Sequence, residues 1–148
     1  MSYTNLNYHI VFSTKDRRSF LKPDVRLRLH PYMGGIARTL RSVLLDVNVT
    51  NDHVHLVAGV HPSLPLSGFV RDVKTNATRW LRETFPALAR FGWQDEYAAF
   101  TVSHSQMPAV LRYVREQEEH HRTLTFDQEL RRLLEKHEIE VDERYVPR

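Results

Sequence analysis

"SVLLDVNVTNDHVHLVAGV" (Ser42–Val60) holds two runs of aliphatic and β-branched residues on either side of the polar pair Asn51-Asp52. Two such runs around a short polar pair read as antiparallel strands joined by a tight turn. What flanks this hairpin decides the fold. Upstream, "LNYHIVFS" (Leu6–Ser13) alternates, with Leu6, Tyr8, Ile10 and Phe12 on one side and Asn7, His9, Val11 and Ser13 on the other, the pattern of a half-buried strand. The polar loop "TKDRRSFLKP" then leads to a helical period from Asp24 to about Arg41, with Leu29, Met33, Ile36, Ala37 and Leu40 on one side. Pro31 and Gly34-Gly35 predict that this helix starts late or kinks. Downstream, the loop "GVHPSLPLS" precedes a helix from Leu66 to about Thr84, striped by Val70, Val73, Ala77, Trp80 and Leu81 and ended by Pro86. "EYAAFTVS" (Glu96–Ser103) reads as a fourth strand.

The order β-α-β-β-α-β is that of the ferredoxin-like split βαβ, an α+β fold built on an antiparallel sheet. Right-handed crossovers put both helices on one face and the first and third strands in the centre. The other face starts open. Two more helices follow: "MPAVLRYVREQEEHH" (Met107–His121), with Pro108 in its first turn, and "TFDQELRRLLEKH" (Thr125–His137), with Thr125 and Gln128 placed as a capping box. The first of them is expected to cover the open face.

The 148 residues are 41% apolar and 26% charged, ordinary for one globular domain spanning 1–148. No apolar stretch approaches the ~20 residues that span a bilayer, which excludes a membrane role by that route. The start "MSYTNLNYHIVF" lacks a secretory pattern. Absence of cysteine excludes disulfides, thiolate catalysis and cysteine-rich zinc sites, and fits a cytoplasmic protein. A net charge of +3 permits an anionic partner such as nucleic acid without demanding one.

Side chains alternate across a strand, so Val54, Leu56 and Ala58 face the helices while His53 and His55 point together to the open face. Two residues apart on one face, their rings can reach a single ion, and neutral imidazole is a common metal ligand. His9, on the neighbouring central strand, shares that face. The same spacing also suits histidines satisfied by hydrogen bonds or lying at an oligomer interface.

On the helix after the fourth strand, Met107, Val110, Leu111 and Val114 form an apolar stripe. Tyr113 and Gln117, four apart, lie on one flank of it, and His121 continues the row. If that stripe packs on the open face, the row reaches the histidines. Gln117 could then supply an oxygen ligand, and the Tyr113 hydroxyl would sit beside the ion as a possible nucleophile. The plainer alternative makes Tyr113 a boundary aromatic and Gln117 a solvated helix former. Lys15, Arg17 and Arg18 after the first strand, and Arg71, Lys74 and Arg82 along one side of the second helix, suit phosphate contacts, although charged helix faces are commonly just solvated. His120 and His121 also suit a helix-end role.

Four stretches, "YHIVFSTKDRR" (Tyr8–Arg18), "DHVHLV" (Asp52–Val57), "WQDEYAAFTVS" (Trp93–Ser103) and "YVREQEEHH" (Tyr113–His121), followed by "TFDQEL", come in the order found in a known family. The chain resembles the single-tyrosine HUH transposases of small bacterial insertion sequences, the TnpA type, and their REP-associated relatives. The histidine-apolar-histidine motif matches His53, Val54 and His55; the tyrosine nucleophile and the glutamine one turn later match Tyr113 and Gln117. One departure is Glu96 before Tyr97, where the family usually has glycine, which bears on a local turn.

The resemblance implies a metal-dependent transposase that cleaves and rejoins single-stranded transposon ends, leaving a 5′-phosphotyrosine and a free 3′-OH. It implies Mg²⁺ or Mn²⁺ held by His53, His55 and Gln117; by their placement alone, His9 and His121 could stand behind those ligands. It also implies recognition of imperfect hairpins and a homodimer in which the tyrosine helix can complete the partner's site, in the cytoplasm of a bacterium or archaeon. The competing readings are a domesticated protein of the same fold that binds hairpins or single strands without cutting, an HUH nuclease of replication or conjugation, and zinc storage by the nine histidines. Tyr113, His53 and His55 together argue against the first, because a binding module would not need all three. The short length, with no helicase or extra domain, argues against the second.

Overall fold

A computed structural model describes residues 2–117 and 124–141 of the chain. Four strands, β1 (Asn7–Ser13), β2 (Val43–Val49), β3 (His53–Gly59) and β4 (Ala98–Thr101), form an antiparallel sheet in the order β2-β3-β1-β4. Helices α1 (Pro23–Thr39) and α2 (Leu66–Thr84) make the two crossovers, and α3 (Met107–Arg115) and α4 (Phe126–Lys136) follow the sheet. The expected split βαβ and the central placement of β1 and β3 are both present.

Alternation along the central strands sorts the side chains into two cores. Ile10, Phe12, Val54, Leu56 and Ala58 pack against Leu29, Met33 and Ile36 of α1 and Phe69, Val73 and Leu81 of α2. On the other face, Val11 and Phe100 pack against Phe126 and Leu133 of α4, joined at the margin by Ala98, Tyr113, Leu130 and Leu134. Helix α3 lies over the β2–β3 half of that face and α4 over the β1–β4 half. With both faces covered, β3 is buried from His53 through Ala58.

Helix α1 neither starts late nor breaks: it runs continuously from Pro23 past Pro31. Proline at the first helical position costs nothing there. The carbonyl that Pro31 leaves without a helical partner belongs to Leu27, whose side chain is 79% exposed, so water can satisfy it. Strand β4 is shorter than its sequence pattern, and the Lys74 ammonium takes the carbonyls of Gln94, Asp95 and Glu96 ahead of it at 2.6, 3.2 and 3.4 Å.

Helix α3 is interrupted at Glu116, which lies outside helical geometry; Gln117 is helical again, and residues 118–121 of the expected helix lie outside the described residues. Its last turn is held by β2. The Asn48 amide donates to the Val114 carbonyl at 2.8 Å, and Asp46 receives the Arg115 guanidinium at 2.7 Å. A carbonyl at a helix C-terminus has no helical partner, so Asn48 satisfies a group that would otherwise be stranded. Replacing Asn48 with Ala is expected to cost about 1–3 kcal/mol in urea denaturation and to speed amide exchange across α3. Leu56→Ala in the main core is expected to cost about 2–5 kcal/mol without that local signature.

Candidate metal centre and nucleophile

The register of β1 against β3 sets Ser13 opposite His53, Val11 opposite His55 and His9 opposite Val57. All three histidines therefore project to the face that α3 and α4 cover. His53 is anchored at the turn: its Nδ1 lies 2.7 Å from Asp52 Oδ1 and 2.7 Å from Thr50 Oγ1. Since a carboxylate only accepts, Nδ1 donates to Asp52, and Nε2 is turned to the site, 3.5 Å from Glu129 Oε1. Burial pulls the His53 imidazole down, but hydrogen bonds and charge from Asp52 and Glu129 outweigh it and hold the ring above its ordinary value. His55 points Nε2 at the same Glu129 oxygen, 3.0 Å away, and Nδ1 at His9 Nε2, 2.8 Å away. Burial, then the neighbouring His55, draw His9 down to about 3, so it stays neutral.

Glu129 comes from α4 and is 1% exposed. Its Oε1 meets both histidines, and its Oε2 accepts the Tyr113 hydroxyl at 2.6 Å. Ligand atoms of His53, His55 and Glu129 all lie within 4.8 Å of one another, so these three could hold a metal ion. Two imidazole nitrogens and one carboxylate oxygen suit a divalent cation of intermediate hardness and leave open positions for substrate. The donor set therefore fits a divalent ion of the kind the resemblance implies.

Tyr113 stands beside this cluster in the same chain, its ring centre 6.0 Å from those of His9 and His55. Burial, then the hydrogen bond and charge of Glu129, raise its hydroxyl well above the ordinary phenol range; hydrogen bonding from Gln117 works weakly the other way. Gln117 is fully buried, and its amide donates to the Tyr113 carbonyl at 3.3 Å. His120 and His121 lie outside the described residues.

Glu129 was not among the residues the sequence singled out. Its signal was there: it sits three residues after Phe126 and four before Leu133, a lone acid on the apolar side of α4. An acid on a buried stripe implies a partner waiting beneath it.

The basic residues divide between three hollows. Lys15, Arg71, Lys74 and Arg82 line a groove of about 930 Å³ along α2, joined by Arg79 and Arg90 and by the aromatic side chains of Trp93 and Tyr97. Arg18 lines a smaller hollow with Lys15 and Arg90. Arg17 lies in a third, about 660 Å³, with Asn51, Asp52 and the start of α4. Two of the groove's residues also serve the fold: Lys74 as described, and Arg82 through a 2.8 Å bond to the Phe91 carbonyl.

Comparison with known proteins gives consistent results. A family model described as "Transposase IS200 like" matches residues 2–117. The chain is 26% identical over 117 residues to the ISDra2 transposase TnpA of Deinococcus radiodurans, covering 76% of this chain and 84% of that one. A crystal structure of a candidate transposase from Deinococcus radiodurans superposes with a TM-score of 0.66 at 27% identity, covering 78% of this chain and 93% of the other. A REP-associated tyrosine transposase bound to a REP hairpin superposes with a TM-score of 0.62, covering 82% and 72%; at 15% identity this likeness is one of fold.

Mn²⁺ at a hundred times its dissociation constant is expected to stabilise the protein by about 2.7 kcal/mol, read as a rise in Tm. Glu129→Gln should remove most of that rise. An unchanged Tm in the unsubstituted protein would show that these donors hold no ion.

Proposed function

This chain belongs to the IS200-like transposase family, and we propose that it cleaves and rejoins single-stranded DNA ends through a covalent bond between Tyr113 and a 5′ phosphate. The observation that carries this reading is the convergence of His53, His55 and the Tyr113 hydroxyl on the single carboxylate of Glu129. A divalent cation, with Mn²⁺ suiting the nitrogen donors better than Mg²⁺, would be held by His53 and His55 with Glu129 and Gln117 as the oxygen donors at hand, and would draw charge from the phosphate oxygens.

The residues supply the rest. Tyr113 Oη attacks phosphorus in line as its proton passes to Glu129 Oε2, which already accepts it at 2.6 Å. The bond from phosphorus to the 3′ oxygen breaks, and that oxygen leaves to become a 3′-OH. The phosphotyrosine keeps the energy of the broken phosphodiester. A 3′-OH from another strand can therefore reverse the step, with Tyr113 regaining its proton from Glu129. Because Tyr113 and the two histidines belong to one chain, each copy of a homodimer would carry a full set of these groups.

DNA binding is assigned to the groove along α2. Lys15 lies two residues past the end of β1, and the intervening Thr14 amide donates to the Asp52 carbonyl at 2.8 Å, so one end of the groove adjoins the turn that carries His53. A hairpin, the kind of DNA bound to the REP-associated relative, would if seated there leave its flanking strand to cross the loop with Arg17 toward the site. Arg71 and Arg79 are the more exposed phosphate contacts, because Lys74 and Arg82 are also used by the fold. The protein would act in the cytoplasm, where its DNA is.

One observation favours the alternative of a hairpin-binding protein that does not cut: His53, His55 and Glu129 are sealed beneath α4. Tyr113 itself is partly exposed, but a phosphate reaches the two histidines only past the Phe126 ring stacked on His53. The two readings separate on a labelled single strand carrying an end hairpin, incubated with Mn²⁺. The proposal requires an adduct that survives denaturation and disappears in Tyr113→Phe while hairpin affinity is kept; binding without any adduct would favour the alternative. Arg71→Ala and Arg79→Ala should each lower the slope of log affinity against log salt by about 0.7–0.9. An unchanged slope in both would place the hairpin elsewhere.

A further inference from the structure

We propose that His9 is a positioning residue, whose Nε2 bonds His55 Nδ1 and fixes the ring and tautomer of His55 so that its Nε2 is presented to the metal. This rests on the reading of the cluster as a metal centre.

A neutral imidazole carries one N–H and one lone pair, and only the lone pair can ligate. What bonds the far nitrogen decides which is which. For His53 this is settled by Asp52 and Thr50 at the adjacent turn. For His55 the far nitrogen meets another imidazole, 46 residues away in sequence. The β1–β3 register builds that contact: His9 and His55 are diagonal neighbours, with ring centres 5.1 Å apart and planes 22° from parallel. Phe100 and Tyr113, each 6.0 Å from the His9 ring, hold it in place.

An imidazole suits this position because its Nε2 can either donate or accept. In the described arrangement His55 Nε2 faces a carboxylate oxygen at 3.0 Å, where an N–H belongs, so His55 Nδ1 accepts from His9 Nε2–H. To ligate, His55 must lose the proton at Nε2 and carry one at Nδ1. The His55 Nε2 proton passes to the Glu129 oxygen 3.0 Å away and on to solvent, the His9 Nε2 proton crosses the 2.8 Å bond to His55 Nδ1, and a proton from solvent enters at His9 Nδ1. One proton leaves the pair and one enters, so both rings remain neutral. A carboxylate in place of His9 could not donate in the first state, and an ammonium could not accept in the second.

The test combines nitrogen NMR with metal affinity. In ¹⁵N-histidine-labelled protein we expect a scalar coupling between His9 Nε2 and His55 Nδ1, with His55 protonated at Nε2 without metal and at Nδ1 after addition of diamagnetic Zn²⁺. His9→Leu should weaken Mn²⁺ binding about 10–100-fold, and His9→Gln, whose amide can donate or accept, should recover most of the loss. Loss of the coupling, Mn²⁺ binding by His9→Leu equal to the unsubstituted chain, or a failure of His9→Gln to recover would each overturn the role of His9. Should His9→Leu not fold, the coupling and tautomers of the unsubstituted protein decide alone. A coupling present in a chain that binds neither Zn²⁺ nor Mn²⁺ would count against the metal centre itself and take the role of His9 with it.

Discussion

One buried carboxylate organises the second half of this molecule. Glu129 reaches from α4 to both histidines of β3 with one oxygen and to the phenol of α3 with the other. Taking an ionised carboxylate out of water costs several kcal/mol unless donors replace the lost hydration. Here the donors come from separate elements, so α3, α4 and the sheet must all be docked together for Glu129 to be satisfied. The apolar contacts of Phe126, Leu130 and Leu133 hold α4 on the sheet, and the Glu129 contacts fix where it sits.

The same contact explains why the site is both assembled and shut. The Phe126 ring stacks on His53 with centres 4.4 Å apart, and Glu129 closes the space between His53 and His55. A phenol donating to a carboxylate keeps its proton, and its raised pKa reflects this. The Tyr113 hydroxyl is therefore held beside the histidines in its protonated form.

Most of the fold was legible because the central strands obey strict alternation and the helices carry clean apolar stripes. The hairpin around Asn51-Asp52, the α2 boundaries and the Thr125–Gln128 capping box all follow from local chemistry. What stayed hidden depended on long-range partners. The carbonyls ahead of β4 are taken by Lys74, some twenty residues away, and the last turn of α3 is held by Asn48 and Asp46 of β2. In the site, local alternation was enough to put His53, His55 and His9 on one face. Glu129 escaped because its helix reads as a capped amphipathic segment, and its contact with His55 spans 74 residues. The hydrogen bond between His9 and His55 was similarly invisible, since a common face does not specify ring orientation.

The central claim is that one chain brings His53, His55, Glu129 and Tyr113 together as a single centre for a divalent cation and a nucleophile. Anomalous X-ray scattering at the manganese edge, from crystals of the unsubstituted protein soaked in Mn²⁺, tests it most directly. The account predicts one strong peak within bonding distance of His53 Nε2, His55 Nε2 and an oxygen of Glu129 or Gln117, with the Tyr113 hydroxyl of the same chain beside it. A peak bound only at other residues, or no peak between these imidazoles at saturating Mn²⁺, would contradict it.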